Sequence, residues 1–464
     1  MDQPRRILFV TGKLAEPALR RMLAELAPAF AWEVAVLKIT VAALLTTPWI
    51  ARYLTVPEGT DLIMIPGLCE GDTAEISGKF GVPVTRGPKD LREIPRFFGQ
   101  TVGAAEYGSY RIEILAEINN APKWPRAALL REAGRFRDSG ADVIDVGCTP
   151  GRPFPGLGET VRELRSGGFR VSIDSLDQAE ILTAVEAGAE IVLSVNGSNR
   201  GVLADLRGSG ASVVVIPDSG GGLDTLDPTL AAADRAGIRF LIDPIVEPIG
   251  FGFFASLERY GAARRRYPDA PLFMGVGNIT ELTSADSTGV NALLIAICEE
   301  LGVDAVLTTE VIPWARGAVR EIDIARRLMH HAISRGSLPK GVDDRLVTVK
   351  DPVVLTYSEE ELREVQRQIT DSNYRIFSDR ETITVFNREQ FIRGSEIQEI
   401  FDQLGVLDPS HAFYLGKELA KARLAIALGK TYRQEGQLAW GYLTPPEDPK
   451  REHFRPSPKR PPDG

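Results

Sequence analysis

Carboxylates and carboxamides recur in this chain at one kind of place, just beyond a short apolar run. Glu117, Asn119 and Asn120 come at the end of "RIEILAEI"; Gly147, Cys148, Thr149 and Arg152 close or follow "ADVIDVG"; Asp174 and Ser175 come at the end of "FRVSID". Asn196 and Gly197 follow "EIVLSV", Asp218 and Ser219 follow "SVVVIP", and Asp243, with Glu247 further on, ends "RFLID". Asn278 and Thr280 follow "PLFMGV", and Glu310 follows "DAVLTT". Any one Asp or Asn after a strand serves often enough as a plain helix N-cap. Gathered on one face, such a set does more: Asp accepts two N–H groups at once, and Asn donates and accepts together. That suits a flat heterocycle with N–H donors and ring acceptors. None of the four histidines, His330, His331, His411 and His453, stands in these positions, so neither imidazole catalysis nor a His-ligated metal is indicated. The pair in "MHH" has adjacent spacing and reads as a solvated helix face.

The elements that must bring these residues together are legible from periodicity. From 111 to 337 the eight apolar runs alternate with helical patterns such as "AALLREAGRFRDSG", "QAEILTAVEAGA" and "GVNALLIAICEELG", several closing on Gly as helix C-termini do. Eight βα units predict a (β/α)8 TIM barrel, with a doubly wound open sheet as the alternative. In a barrel the residues after the strands share the face where active sites are built, and a pterin or related aminopyrimidinone is a natural guest for this rim. Residues 1–110 alternate strand-like and helix-like patches, "RILFVTG", "EVAVLKI", "DLIMIPG" and "VPVT" among them, and predict an N-terminal parallel α/β, Rossmann-like domain. Gly12 and Lys13 after the first run read as a structural turn before a phosphate-binding one, and Cys69 in "GLCEGD" as a loop residue. A small C-terminal α+β domain is predicted over 350–445, with a hairpin in "NYRIFSDRETITVFN" and an amphipathic helix in "HAFYLGKELAKARLAIALGK". The proline-rich residues 446–464 read as a disordered tail.

Bulk composition narrows the function classes. The 464 residues are 44% hydrophobic and 25% charged, with a net charge of -9, which disfavours nucleic acid as the main partner. Cys69, Cys148 and Cys298 are far apart and form no Cys-x-x-Cys pair, so a reducing, cytoplasmic setting is expected. "MDQPRRILFV" lacks the pattern of a signal peptide, and "VAALLTTPWIARYL" carries Thr, Pro and Arg52 too soon for a membrane span.

Several motifs resemble one superfamily. "GADVIDVGCTPGRP" resembles the second-strand signature of dihydropteroate synthases, while "SIDS", "SVNG" and "IDP" ahead of "GFG" resemble its pterin-holding positions, which implies Asp174, Asn196 and Asp243 as pterin ligands. "AEINN" and "GVGNIT" are similar to the first-strand and seventh-strand loops of methyltetrahydrofolate-binding domains, which implies Asn120 and Asn278. The resemblance covers 111–337. It departs from the synthases at two loops, where Gly277, Asn278, Ile279, Thr280 and Thr308, Thr309, Glu310 replace the Ser-Arg-Lys-Ser and Arg-x-His groups that serve the substrates and the departing diphosphate. The three-part layout resembles the dihydropteroate synthase-like proteins of methanogens and of methylotrophs that use tetrahydromethanopterin. It implies a transferase of tetrahydromethanopterin biosynthesis, joining hydroxymethyl-dihydropterin diphosphate to a ribosylated aminobenzene phosphate in place of p-aminobenzoate. Arg152 and Asn120 would then serve catalysis at the diphosphate, with Asn120 on the Mg²⁺ that accompanies it, and the superfamily implies a homodimer. The alternatives are a pterin-dependent methyltransferase with a corrinoid partner and a non-catalytic pterin-binding protein.

Overall fold

A computed structural model describes residues 6–26, 28–88, 91, 94–98, 107–352 and 357–444. The expected tail, 446–464, lies outside the described residues. The chain divides into two compact units, Met1–Lys340 and Gly341–Gly464.

The first unit opens with four short strands, β1 (Arg6–Gly12), β2 (Ala31–Leu37), β3 (Leu62–Ile65) and β4 (Val84–Arg86), in a parallel sheet of order β2-β1-β3-β4. "ILFV" is continuously apolar because both faces of β1 are covered. Ile7 and Phe9 pack with Leu19, Leu23 and Met64 on one side, and Leu8 and Val10 with Leu45, Ile50 and Ile63 on the other. After β1 the N–H groups of Lys13 and Leu14 donate to the carbonyls of Ile39 and Thr40, at 2.9 and 3.0 Å, so this turn fastens β1 to the loop after β2 and leaves those N–H groups unavailable to a phosphate. Cys69 is buried, and burial pushes its thiol up against the opposing pull of Arg86.

The following eight strands are β5 (Glu113–Ile118), β6 (Val143–Gly147), β7 (Val171–Asp174), β8 (Ile191–Val195), β9 (Ser212–Val215), β10 (Phe240–Ile242), β11 (Leu272–Gly275) and β12 (Val303–Thr309). They close into a parallel barrel, with β12 returning to β5 through the pairs Ala305↔Glu113 to Thr309↔Glu117. The interior is filled by Leu115, Val143, Ile191, Leu193, Val214, Phe273 and Ala305, with Ile216, Leu241 and Leu307 packed against them. Period-2 alternation makes these one side of each strand. The helix after β12, Ala318–Arg335, is locked to the barrel's start by Arg326, a 1% exposed guanidinium. It bonds Asp142, Asp323 and the carbonyls of Ile112 and Gly140. On the same helix His330 is half-buried and meets Glu299 at 2.7 Å, and His331 packs on Tyr107. The "MHH" pair is thus held by neighbours where a solvated face was expected, His330 by Glu299 of the helix Ser287–Leu301 and His331 by Tyr107.

The second unit holds an antiparallel sheet of order β15-β14-β13-β16, formed by β13 (Arg375–Ser378), β14 (Ile383–Phe386), β15 (Phe391–Gly394) and β16 (Tyr432–Arg433). The helix Pro409–Leu428 starts on an Asp408 side chain that accepts from the His411 N–H, and buries Leu415, Leu419, Ala422 and Ala425 against the sheet core. Phe413 and Leu424 sit on its exposed side, so its apolar stripe is less segregated than the sequence predicts. Among the described residues, no helix is long and apolar enough to cross a membrane.

Candidate functional site

Carried two residues past the interior core, the strand alternation places an acid layer at the C-terminal mouth of the barrel. Leu115 leads to Glu117, Val143 to Asp145, Ile216 to Asp218 and Leu241 to Asp243, while Ser172 leads to Asp174. Across the ladder Glu117 pairs with Asp145 and Asp145 with Ser172, and Gly147 pairs with Asp174. Gly147 has no room for a side chain, since a Cβ there would come 2.4 Å from Glu117 Oε1.

Asp145 is fully buried. Its Oδ1 accepts from the Ser172 hydroxyl at 2.6 Å, and its Oδ2 has no hydrogen-bond partner among the described residues. Burial, then the neighbouring Asp174 and Glu117, raise its pKa well above the usual carboxylate range. Burial raises Asp174 as well, against a hydrogen bond from Ser194. Glu117 is pushed up to about 7 by burial, then by Asp174 and Glu281, with the Asn119 amide pulling the other way. No Lys or Arg among the described residues bonds Glu117, Asp145 or Asp174. A cluster in this state repels anions and is satisfied by protons or by N–H donors.

Asp243 follows β10, which meets β11 at the Ile242↔Leu272 pair. The hydroxyl of buried Tyr260 lies within reach of both the Asp243 carboxylate and the Phe273 carbonyl, and the Ile245 N–H donates to Asp243 Oδ1 at 2.8 Å. Burial lifts Asp243 to about 6 despite these bonds and nearby Arg259.

Backbone strain concentrates at the same mouth. Asn120 (φ 49°), Ser194 (φ 65°) and Ile245 (φ 67°) occupy the left-handed region without being glycine. For β-branched Ile245 this is a conformation costing on the order of 1–3 kcal/mol, held by Arg259, which donates to the Pro244 and Ile245 carbonyls. Ser194 sits where the β8–β9 register shifts between Val192 and Val195, and the bulge turns its hydroxyl onto Asp174 Oδ1 at 3.1 Å.

The other residues singled out from sequence take more local roles. Asn120 accepts from the Thr149 hydroxyl at 3.0 Å and donates to Asn119, joining the loops after β5 and β6. Asn196 turns its Oδ1 back onto the Ser198 N–H and hydroxyl, at 2.9 and 2.7 Å. Asn278 is exposed and donates to the Val246 carbonyl at 3.3 Å, tying the loop after β11 to that after β10. Arg152 is exposed on the loop after β6. Glu310 serves structure, with one oxygen accepting from the Val319 N–H and the other 2.8 Å from Arg135.

A resident magnesium does not fit these residues. At Asn120 it would meet a single amide oxygen already accepting from Thr149, and no group of three or more His, Cys, Asp or Glu among the described residues is placed to hold a metal. Burial, then the neighbouring Glu180, push the Cys148 thiol far up, against thiolate character at neutral pH. Glu117, Asp145 and Ser194 were not singled out as ligands. Counting by twos from Leu115 and Val143 would have found the first two; the bulge that aims Ser194 has no sequence signal.

Residues 5–89 match a family of unknown function, DUF6513, and residues 362–435 match the family described as PterinBD-DUF4346. A protein of Methanocaldococcus jannaschii described as uncharacterized is 28% identical over 529 residues, spanning 94% of this chain and 100% of that protein. Similar solved structures include the dihydropteroate synthase of Yersinia pestis with a sulfonamide drug, at 18% identity, 48% of this chain, 94% of that one and a TM-score of 0.40. The Xanthomonas albilineans enzyme with 4-aminobenzoic acid gives 18%, 48%, 93% and 0.41. That of Burkholderia cenocepacia complexed with 7,8-dihydropteroate gives 21%, 49%, 93% and 0.38.

Proposed function

We propose that the barrel binds a reduced pterin and works as a dihydropteroate synthase-type transferase, joining hydroxymethyl-dihydropterin diphosphate to an aryl amine in tetrahydromethanopterin biosynthesis. The observation that carries this reading is the acid layer, above all the buried and unpartnered Asp145 Oδ2 with Asp174 and Glu117 around it. The aminopyrimidinone edge of a pterin presents an amino group and a ring N–H side by side, the donors such a layer lacks. Asp174 and Asp243 take that edge in this reading, and Asn196 and Asn278 border the ring through the amide N–H and backbone contacts of their loops. The match to PterinBD-DUF4346 covers residues 362–435, in the second unit and outside the barrel.

In the coupling, the C–O bond between the pterin methylene and diphosphate breaks as the C–N bond to the amine forms. The electron pair leaves with the diphosphate, which brings its Mg²⁺ as part of the substrate. The nitrogen then gives up a proton, for which Glu117, poised near neutrality, is a suited acceptor. Exposed Arg152 meets the diphosphate, and Asn120 positions the Arg152 loop through Thr149.

One feature favours a second reading. Among the described residues no cation is bonded to Glu117, Asp145 or Asp174 to stabilise a leaving diphosphate, whereas methyl transfer from a pterin to a corrinoid partner expels none. The deciding experiment incubates the protein with hydroxymethyl-dihydropterin diphosphate, Mg²⁺ and either p-aminobenzoate or its ribosylated phosphate analogue, and follows the coupled product by mass. Product with one amine supports the synthase and names its acceptor. Pterin binding without product moves the reading to methyl transfer or to a non-catalytic pterin-binding protein.

A further inference from the structure

In the N-terminal sheet the chain leaves β1 for β2 on one flank and then crosses to β3 on the other, so the strand order reverses at β1. The helix Glu16–Leu26, after β1, packs on the Ile7 and Phe9 side, whereas the helix Thr47–Tyr53, after β2, packs through Ile50 on the Leu8 and Val10 side. Such a reversal opens a crevice at the carboxyl ends of the two strands it separates. Here the strands part early: β1 stays paired with β2 as far as Gly12↔Leu37, but its pairing with β3 ends at Phe9↔Met64, and Pro66 has no N–H with which to extend the ladder. The crevice offers about 170 Å³, walled by Phe9, Leu19, Met64, Leu91 and Ile94, with Thr11 among them. Its rim is fixed. The Gly87 N–H donates to the Ile65 carbonyl at 2.9 Å and the Cys69 N–H to the Pro66 carbonyl at 3.0 Å, and a Cβ on Gly67 would come 2.5 Å from the Gly87 carbonyl oxygen. Among the described residues no charged side chain lines the space. Its one side-chain hydroxyl is that of buried Thr11, which strand alternation turns to the Phe9 side. Among the described residues this hydroxyl meets only the Gly12 carbonyl, at 3.5 Å, the outer limit of a hydrogen bond.

We propose that this crevice is a second binding site, for an uncharged single aromatic ring carrying one hydroxyl. An apolar protein cavity of about 150 Å³ holds one benzene ring, so the space here admits a ring with one small substituent. The Phe9 ring and the Met64 thioether favour an aromatic guest. A ring hydroxyl gives Thr11 the close partner it lacks, since each can donate or accept. An anion is disfavoured, because it would be desolvated without a charged partner and the Lys13 and Leu14 N–H groups are spent on Ile39 and Thr40. The site belongs to the N-terminal sheet and does not depend on what the barrel binds.

Phenol, benzene and benzoate titrated into the full chain, with isotope-labelled methionine methyl groups observed by NMR, test this. The Met64 methyl, in the crevice wall, should shift saturably with phenol and with benzene, while that of Met274 on β11 should not move. Benzoate should bind roughly tenfold more weakly than phenol, or worse. Thr11→Val keeps the shape and removes the hydroxyl, so it should weaken phenol about fivefold and leave benzene unchanged, which also shows the fold intact. Ala15→Leu, in the same wall, takes up the space and should weaken both rings by about tenfold or more. A Met64 signal that ignores phenol, benzoate binding as tight as phenol, or phenol affinity unchanged in either variant overturns the site.

Discussion

Replacing Glu117 by Gln should stabilise the unliganded protein, and should do so only above mildly acidic pH. Glu117 titrates at about 7 in the native protein against an ordinary value of 4.5. Between these pH values the native state holds a proton that the unfolded chain has released, so stability falls as pH rises through the window and levels off above it. At 1.36 kcal/mol per pH unit the loss approaches about 3 kcal/mol, an upper figure because Asp174 and Asp145 share the cluster's protons. Glutamine keeps the oxygen that accepts from Asn119 and removes the charge. For a unit of 340 residues, with an unfolding entropy of about 2.1 cal/mol/K per residue, 3 kcal/mol corresponds to about 4 °C in Tm. Scanning calorimetry of wild type and Glu117→Gln from pH 4.5 to 8 reads this directly. The variant should melt about 4 °C higher at pH 8 and within about 1 °C of wild type at pH 4.5. A difference that stays constant across the window, or that grows toward acid, refutes the assignment of a raised pKa to this carboxyl.

Three further outcomes follow from the geometry. Tyr260→Phe removes a donor to buried Asp243, so the Asp243 pKa should rise beyond about 6 and the variant should lose more stability than wild type between pH 5 and 8, measurable in the same calorimetric series. Gly197→Ala sets a Cβ 2.7 Å from Asp218 Oδ1, displacing a carboxylate that accepts from the Gly197 N–H; a cost of about 1–3 kcal/mol in urea unfolding and weaker pterin binding are expected. Arg326→Met takes the guanidinium donor from the Ile112 and Gly140 carbonyls and from Asp142, while Asp323 keeps Arg327, and should destabilise the first unit by about 1–3 kcal/mol, seen as an earlier transition in urea unfolding.

The eight strands and their order along the chain were legible because a parallel barrel covers both faces of each strand, which leaves runs such as "VVVI", Val213 to Ile216, apolar throughout. Asp145 was harder to see, because it reads as an interruption of the apolar run "VIDVG", and it is one of several described residues with a buried oxygen left unpaired. Asp174 was visible because it closes its strand. Asn120 was picked by motif, but its left-handed backbone and its bond to Thr149 depend on a neighbouring loop that sequence does not show. Asn196 looks from sequence like a ligand and spends its oxygen on its own turn, the usual competition of a short amide with nearby backbone. Tyr260 lies 17 residues beyond Asp243, and nothing in its helical pattern marks it as the partner of a strand-end acid.

The central claim is that the acid layer is a pterin site, and calorimetric binding of 6-hydroxymethyl-7,8-dihydropterin to the wild-type protein and to Asp174→Asn tests it most directly. Saturable binding that Asp174→Asn weakens by about a hundredfold, the worth of one hydrogen bond to a charged acceptor, since Asn keeps one acceptor oxygen, is the predicted result. Absence of binding by the wild type, or equal affinity in the two proteins, contradicts the account.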